Sequence, residues 1–589
     1  MRILQVIHDF LPRHLAGVEI YTDRLSRRLA AAHEVAILYS EAVPGAENYS
    51  LRRGRHGPVA TFELVNNHIF RRFEETYANP SIDRRLREVL DEFRPHVVHV
   101  QHLLNLSLNL VAEARRRGIP VLMTLHDHWL ACANGGQRFH RRLGRCETLD
   151  PSRCGPCVET IRGFDPEDRG GLLDRLSELG EAGCTYLTER HPDQQQASSP
   201  SYIYRDRYAL DGDMLPTWVE HPPARMTFRI KNRGSSIFRA AVSMHPNTFA
   251  QPGGGVRFTV LVDGEQRFSK VLDPKRRRED RIPHSLRVPI AEPAFELELV
   301  TEAVPADDAS HCTAGWIHPR LELAANGDRA VAPRLVTWPK RFSQRRRVER
   351  RWQAVRKMIG QVDYFLAPSR YLVDEFVRFG LDPRRIAYSD NGFVTDGFEC
   401  RADLPETARV FAFVGSLVQH KGLHVLVEAF ESLPEDAELR VCGALDYDLF
   451  YTNQIRNRRR HAGIRFLGSL PNEQIPGLLA EVDCLVVPSI WAENSPLTIH
   501  EAFLAGVPVI ASRLGGHQDL LADGGGLLYD PDDPGDLARS LLRVIEEPGL
   551  LRRLAASIPA VKTMDDHVEE LVGHYRRLIS ERPRRSAKR

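Results

Sequence analysis

A chain of 589 residues allows three or four domains, and 42% hydrophobic residues suffice for several cores. A formal net charge of +2 leaves no global field of the kind that draws nucleic acid, so no nucleic-acid partner is expected. No apolar run approaches the ~18 residues that cross a bilayer, and the opening MRILQVIHDF turns polar too early for a signal peptide. A cytoplasmic chain is therefore expected, and its nine cysteines read as thiols or metal ligands rather than a disulfide framework.

In chain order, residues 3–7 read as a buried strand. A loop from His8 to Gly17 follows, then a helix from about 18 to 31 with Ile20, Leu25 and Leu29 on one side, then a strand over 34–39. This is a β-α-β opening with a Gly-bearing loop at the first strand's C-terminal end. Residues 97–100 form another buried strand, followed by His102 and a helix. The strand 121–125 runs into His126-Asp127-His128-Trp129. At that position a histidine caps a turn or faces a cleft; position alone favours the cap.

Cys132, Cys146, Cys154 and Cys157 come next, the last two as a C-x-x-C knuckle. Four thiolates suit a closed, structural zinc site, which leaves no open position for catalysis. Buried free thiols and redox chemistry are the other readings. A helix is expected over about 170–189, before the polar run 194–200 marks a boundary.

The next hundred residues change character. Strand-like alternation appears over 226–230, 236–243, 256–262, 266–271, 284–290 and 295–300, with Asp263-Gly264 as a hairpin turn. Short strands at near-regular spacing suggest a β-sandwich. Trp316 reads as core, with stacking on a sugar as the alternative. The helix 341–357 carries Arg345, Arg346, Arg347, Arg350, Arg351 and Arg356. It reads as a solvated face or as a peripheral contact with anionic lipid.

The α/β pattern resumes with a strand over 410–414, Ser416, His420-Lys421-Gly422 and a helix. A lysine at a helix start opposes the macrodipole unless an anion is bound there. The chain then reaches CLVVPSIWAENSPLTIHEAFLAGVPVIASRLGGHQD, from Cys484 to Asp519. A strand turns into a loop carrying Glu493; Ser495 reads as a helix N-cap and Pro496 as the first helical residue. The N–H groups of Leu497 and Thr498 then lie open to a phosphate. Glu501, about one turn on, can accept hydrogen bonds from ribose hydroxyls.

This stretch resembles the signature of the retaining, nucleotide-sugar-dependent family 4 glycosyltransferases. The resemblance covers about residues 1–130 and 333–580 and implies the GT-B fold: two Rossmann-like α/β domains facing a cleft, here with an inserted all-β jelly-roll or sandwich. It implies that Lys421, with the amides of Leu497 and Thr498, holds the donor diphosphate, that Glu501 holds the ribose, and that Glu493 and His126 grip the transferred sugar. Where the family carries an arginine before the lysine, this chain has Ser416. Of the family's adjacent glycines only Gly17 carries over, since Ala16 replaces the first. Residues 202–324 resemble jelly-roll modules of the carbohydrate-binding kind.

The expected division is 1–200 and 326–395 for the N-terminal domain, 201–325 for the sandwich, 405–562 for the C-terminal domain and 563–580 for a helix crossing back. The donor-binding set is Gly17, Ser416, Lys421, Ser495, Leu497, Thr498 and Glu501. The expected activity moves a sugar from a nucleotide sugar to a glycan or lipid-linked acceptor, in bacterial surface polysaccharide synthesis, with no metal required for transfer. A non-catalytic glycan-binding protein and another GT-B enzyme, an epimerase or phosphorylase, are the alternatives.

Overall fold

The computed structural model describes residues 1–157, 184–323 and 338–581, with short stretches inside those ranges left out. Of the expected helix over 170–189, residues 184–186 form a strand instead, and the remainder, with the run 195–200, lies outside the described residues.

The N-terminal lobe is built on an eight-stranded sheet. Its order is Ile386–Tyr388, Tyr364–Ala367, Val121–Thr124, Val97–Val100, Arg2–Val6, Glu34–Glu41, Val59–Val65 and Leu51–His56. All neighbours are parallel except the last pair. Parallel strands covered by helices on both faces read as continuous apolar runs, and all four residues of Val97–Val100 are buried. The Gly17–Ala30 helix buries Tyr21, Leu25 and Leu29 against Ile3 and Ile37. Ile20 is only half-buried; Tyr21 takes the core-facing place instead.

The C-terminal lobe holds six parallel strands in the order Ile464–Gly468, Glu438–Cys442, Val410–Val414, Cys484–Val487, Val509–Ser512 and Gly526–Tyr529. In chain order this is 3-2-1-4-5-6. Progression reverses between Val410–Val414 and Cys484–Val487, and in such sheets the ligand crevice opens at the carboxyl ends of the two strands flanking the reversal. The N-terminal sheet reverses between Arg2–Val6 and Val97–Val100.

Between the two parts of the N-terminal lobe lies a β-sandwich with two antiparallel sheets. One is ordered Asp193–Gln194, Ala224–Lys231, Ala294–Val304, Gly255–Val262, Glu265–Leu272. The other runs Ile203–Leu210, Asp213–Glu220, Ala314–Leu323, Ser236–Met244, His284–Ile290. The sheets reach back before residue 201: Cys184–Tyr186 pairs with Ala314–Leu323 and Asp193–Gln194 with Ala224–Lys231. Strands of two or three residues are too short to show alternation in sequence. Asp263 and Gly264 have φ of 49° and 81°, as a tight hairpin with a primed turn requires. Trp316 is fully buried, edge-on to Phe258 at 5.3 Å, and its indole N–H donates to Glu220 at 2.6 Å. It belongs to the core and is not available to stack on a sugar.

The last helix, Met564–Glu581, returns to the N-terminal lobe, where Leu571, Val572, Tyr575 and Leu578 join the core of Ile3, Ile7 and Leu25. The crossing needs a glycine at 392, because a Cβ there would stand 2.5 Å from His567 Cβ.

Candidate functional site

At the C-terminal lobe's reversal the strand Val410–Val414 ends in Gly415 and Ser416 and leads through a short turn to Lys421 and Gly422. Gly422 sits at φ 73°, and a Cβ on it would be 1.9 Å from Pro488 O. Glycine therefore lets this turn lie directly against the end of the neighbouring strand. The close approach delivers Lys421 to Glu493: Nζ donates to both carboxylate oxygens, at 2.8 and 2.9 Å. Ser489 also donates to Glu493. Burial alone would raise the Glu493 pKa, but the Lys421 cation outweighs it and holds the carboxyl down at about 2. Lys421 also lies 5.7 Å from the Trp491 ring centre.

The helix after Glu493 runs Leu497–Leu504, and its N-cap is Pro496, with no side-chain capping bond. This corrects the assignment of Ser495 as the cap and Pro496 as the first helical residue. The Ser495 hydroxyl turns away from the helix and donates to Asp390 Oδ1 at 3.3 Å, while Asp390 Oδ2 takes His500 Nε2 at 3.0 Å. The first amides, at Leu497 and Thr498, remain without acceptors inside the helix. Glu501 is largely buried, which pushes its pKa up to about 7, against the pull of Arg24 and His500.

His126 stands opposite. Its Nε2 donates to Gln101 Oε1 at 2.7 Å, leaving Nδ1 as the free acceptor. Burial, reinforced by His102, lowers its pKa to about 3, so the ring is neutral. The Asn494 amide donates to the His126 carbonyl and joins the Glu493 loop to the histidine loop. Gly17 faces Leu497: a Cβ on the glycine would lie 3.4 Å from Leu497 Cδ1. Tyr371 N donates to Asp519 Oδ2 at 2.8 Å, Arg145 pairs with Asp532, and Phe139 meets His420 at 6.1 Å. His126, Gly17, Lys421, Glu493 and Leu497 are thus brought to one cleft.

Sequence reasoning missed a second set at the N-terminal reversal: His8, Glu19, His102 and Asp127. His8, His102 and Asp127 each follow a strand's carboxyl end, and that placement was their available signal. Glu19 carries none, being one acid in a helix's first turn. Asp390, Gln101 and Asn494 were missed for the same reason, since each acts through a partner far away in sequence.

None of the four cysteines is joined in a disulfide. Burial pushes the Cys154 and Cys157 thiols up to about 12, and Cys132 and Cys146 add to the shift on each, so the four share one patch. Among the described residues no three His, Cys, Asp or Glu stand in an arrangement that holds a metal ion.

In the basic helix, Trp338–Ile359, the side chains of Arg345, Arg346, Arg350 and Arg356 are exposed and that of Arg351 is buried. Arg345 pairs with Glu349 at 2.8 Å and Arg350 with Glu74 at 3.6 Å. Arg356 lies over Trp352 and Phe379. Arg351 is buried and donates to the carbonyls of Trp129 and Leu130, just beyond His126. No helix among the described residues is long and apolar enough to cross a membrane.

Three family models match this chain. Glycosyltransferase Family 4 matches residues 15–149, Glycosyl transferases group 1 matches 400–560, and the NPCBM/NEW2 domain matches 219–322. The chain belongs to the family 4 glycosyltransferases of GT-B fold, with a carbohydrate-binding-type NPCBM/NEW2 β-sandwich inserted between the two glycosyltransferase segments. A D-inositol 3-phosphate glycosyltransferase of Streptomyces bingchenggensis is 29% identical over 258 residues, 38% of this chain and 56% of that protein. The D-inositol 3-phosphate glycosyltransferase of Mycolicibacterium smegmatis is 31% identical over 196 residues, 32% of this chain and 45% of that one. The chain thus spans about half the length of these curated relatives. A sucrose-phosphate synthase of Thermosynechococcus elongatus superposes with a TM-score of 0.51 at 13% identity, over 98% of this chain and 99% of that one, a likeness of fold alone.

Proposed function

We propose that the protein transfers a sugar, with retention, from a nucleotide-sugar donor to a hydroxyl of a glycan or lipid-linked acceptor, in bacterial surface polysaccharide synthesis. The observation that carries this reading is the Lys421–Glu493 pair at the C-terminal reversal, facing His126 across the cleft. As the anomeric C–O bond breaks, charge gathers on the departing diphosphate. The Lys421 ammonium is a fixed cation and the open amides of Leu497 and Thr498 are fixed hydrogen-bond donors, and both stabilise such charge without reorganising. Glu493 and the neutral His126 hold the sugar, and Glu501 accepts from the ribose hydroxyls. The relatives' printed names, which join glycosyl transfer to a hydroxylated acceptor, support the same class.

A thermal-shift screen against nucleotide sugars tests the reading. One donor should stabilise the wild type, and none doing so would overturn it. Glu501→Ala should weaken that donor by roughly 1.5–3 kcal/mol, the worth of a hydrogen bond to a charged group. Ribose hydroxyls favour the carboxylate form, so donor affinity in the wild type should fall as pH drops through about 7, where free Glu501 takes up its proton. In Glu501→Ala that dependence should vanish.

A further inference from the structure

At the N-terminal sheet's reversal four side chains from four separate stretches form a connected polar row. Glu19 Oε1 lies 3.3 Å from His8 Nε2, the His8 ring lies 4.4 Å from that of His102, and His102 Nε2 lies 3.2 Å from Asp127 Oδ2. The tautomers follow from the partners. Leu104 N donates to His102 Nδ1 at 3.1 Å, so the His102 proton is on Nε2, directed at Asp127. The His8 proton likewise belongs on Nε2, toward Glu19. That leaves His8 Nδ1 a bare acceptor, and it is buried without a hydrogen-bond partner; so is Glu19 Oε2, on a residue only 3% exposed. An unsatisfied buried acceptor costs about 1–3 kcal/mol, and two beside each other, next to His126, mark a place that a ligand completes.

We propose that His8 Nδ1 and Glu19 Oε2 form the acceptor subsite and that it takes an uncharged polyol, a sugar ring presenting hydroxyl groups, rather than a phosphorylated one. This rests on the transferase reading above. Both open atoms accept hydrogen bonds, as hydroxyl donors require. Asp9, Glu19 and Asp127 surround the row, and among the described residues no Arg or Lys forms an ion pair with any of them. The nearby cations are engaged elsewhere: Arg13 pairs with Glu41 and Glu63, and His14 with Glu41. Phosphate recognition depends on free cationic donors, and here a phosphate would meet carboxylates. The position is the crevice at the reversal of the N-terminal sheet, where open α/β sheets bind ligands. It mirrors the Lys421–Glu493 reversal of the other lobe, so each lobe contributes one substrate.

The test uses the full chain and two probes, methyl α-D-glucopyranoside and glucose 6-phosphate, with binding followed by saturation-transfer NMR and calorimetry. The wild type should bind the neutral glycoside at least tenfold more tightly than the phosphate. Glu19→Gln keeps the side chain's shape and removes its charge, so it should narrow that preference by at least threefold. His8→Ala should lose at least tenfold in glycoside affinity while keeping the wild-type thermal-shift response to nucleotide sugars. Equal or tighter binding of glucose 6-phosphate to the wild type overturns the proposal. So does glycoside binding that is unchanged in both variants. Loss of the nucleotide-sugar response in wild type and variants alike counts against the transferase reading instead.

Discussion

Lys421 and Glu493 carry two duties that can be separated. Glu493 is nearly buried, with its side chain 7% exposed, and Lys421 offsets the cost of burying the carboxylate. Lys421→Ala should therefore destabilise the protein as well as slow turnover. With the Lys421 side chain 27% exposed, the loss of stability should fall near the lower end for a broken buried pair, roughly 3 kcal/mol. The double variant Lys421→Ala with Glu493→Gln removes the stranded charge, so it should regain much of the melting temperature while remaining as slow as the single variant. Turnover recovering together with stability would show that the lysine acts only through folding. Glu493 also sets a pH signature. Its folded pKa is lowered from the usual 4.5 to about 2. The stability it contributes is fully present above 4.5 and is lost as pH falls toward 2.

At the scale of elements, the segment from Cys132 to Cys157 ties the His126 loop to both lobes. Cys132 N donates to His128 O, the short Phe139–His140 and Gly144–Arg145 hairpin reaches His420 and Asp532, and Arg138 pairs with Glu375. The four clustered thiols remain proposed zinc ligands. Protein purified without chelator should then carry about one zinc ion per chain by elemental analysis; none would rule the clasp out. Arg351 secures the same loop from behind, at the carbonyls of Trp129 and Leu130. In sequence it is one arginine in a basic run, and only packing separates it from its exposed neighbours.

Across the whole molecule the sandwich has its own core. The cluster of Phe238, Phe258, Trp316 and their neighbours contains no residue of either Rossmann-like lobe. Deleting residues 184–323 and closing the gap with a short flexible linker should leave a folded two-lobe protein. It should keep the thermal-shift response to its donor and lose efficiency on long glycan acceptors only. A deletion protein that folds but no longer responds to any nucleotide sugar would make the sandwich part of the donor site.

Sequence alone determined what local pattern can carry. A strand buried on both faces must be a run such as 484–487. A helix meeting a strand end at close range must begin at a residue such as Gly422. A polar loop carrying Glu493 after such a strand marks the ligand end of the sheet. Alternation with period two exposed most strands of the sandwich for the same reason. What tertiary structure alone decided are relations between distant residues. Ser495 looks like a helix cap until Asp390 competes for its hydroxyl. Trp316 has its indole N–H taken by Glu220. His8, Glu19, His102 and Asp127 share no spacing, and they meet only because the N-terminal sheet reverses direction between its first strand and Val97–Val100. Hydrogen-bond partners and burial depend on that convergence, and no pattern along the chain encodes it.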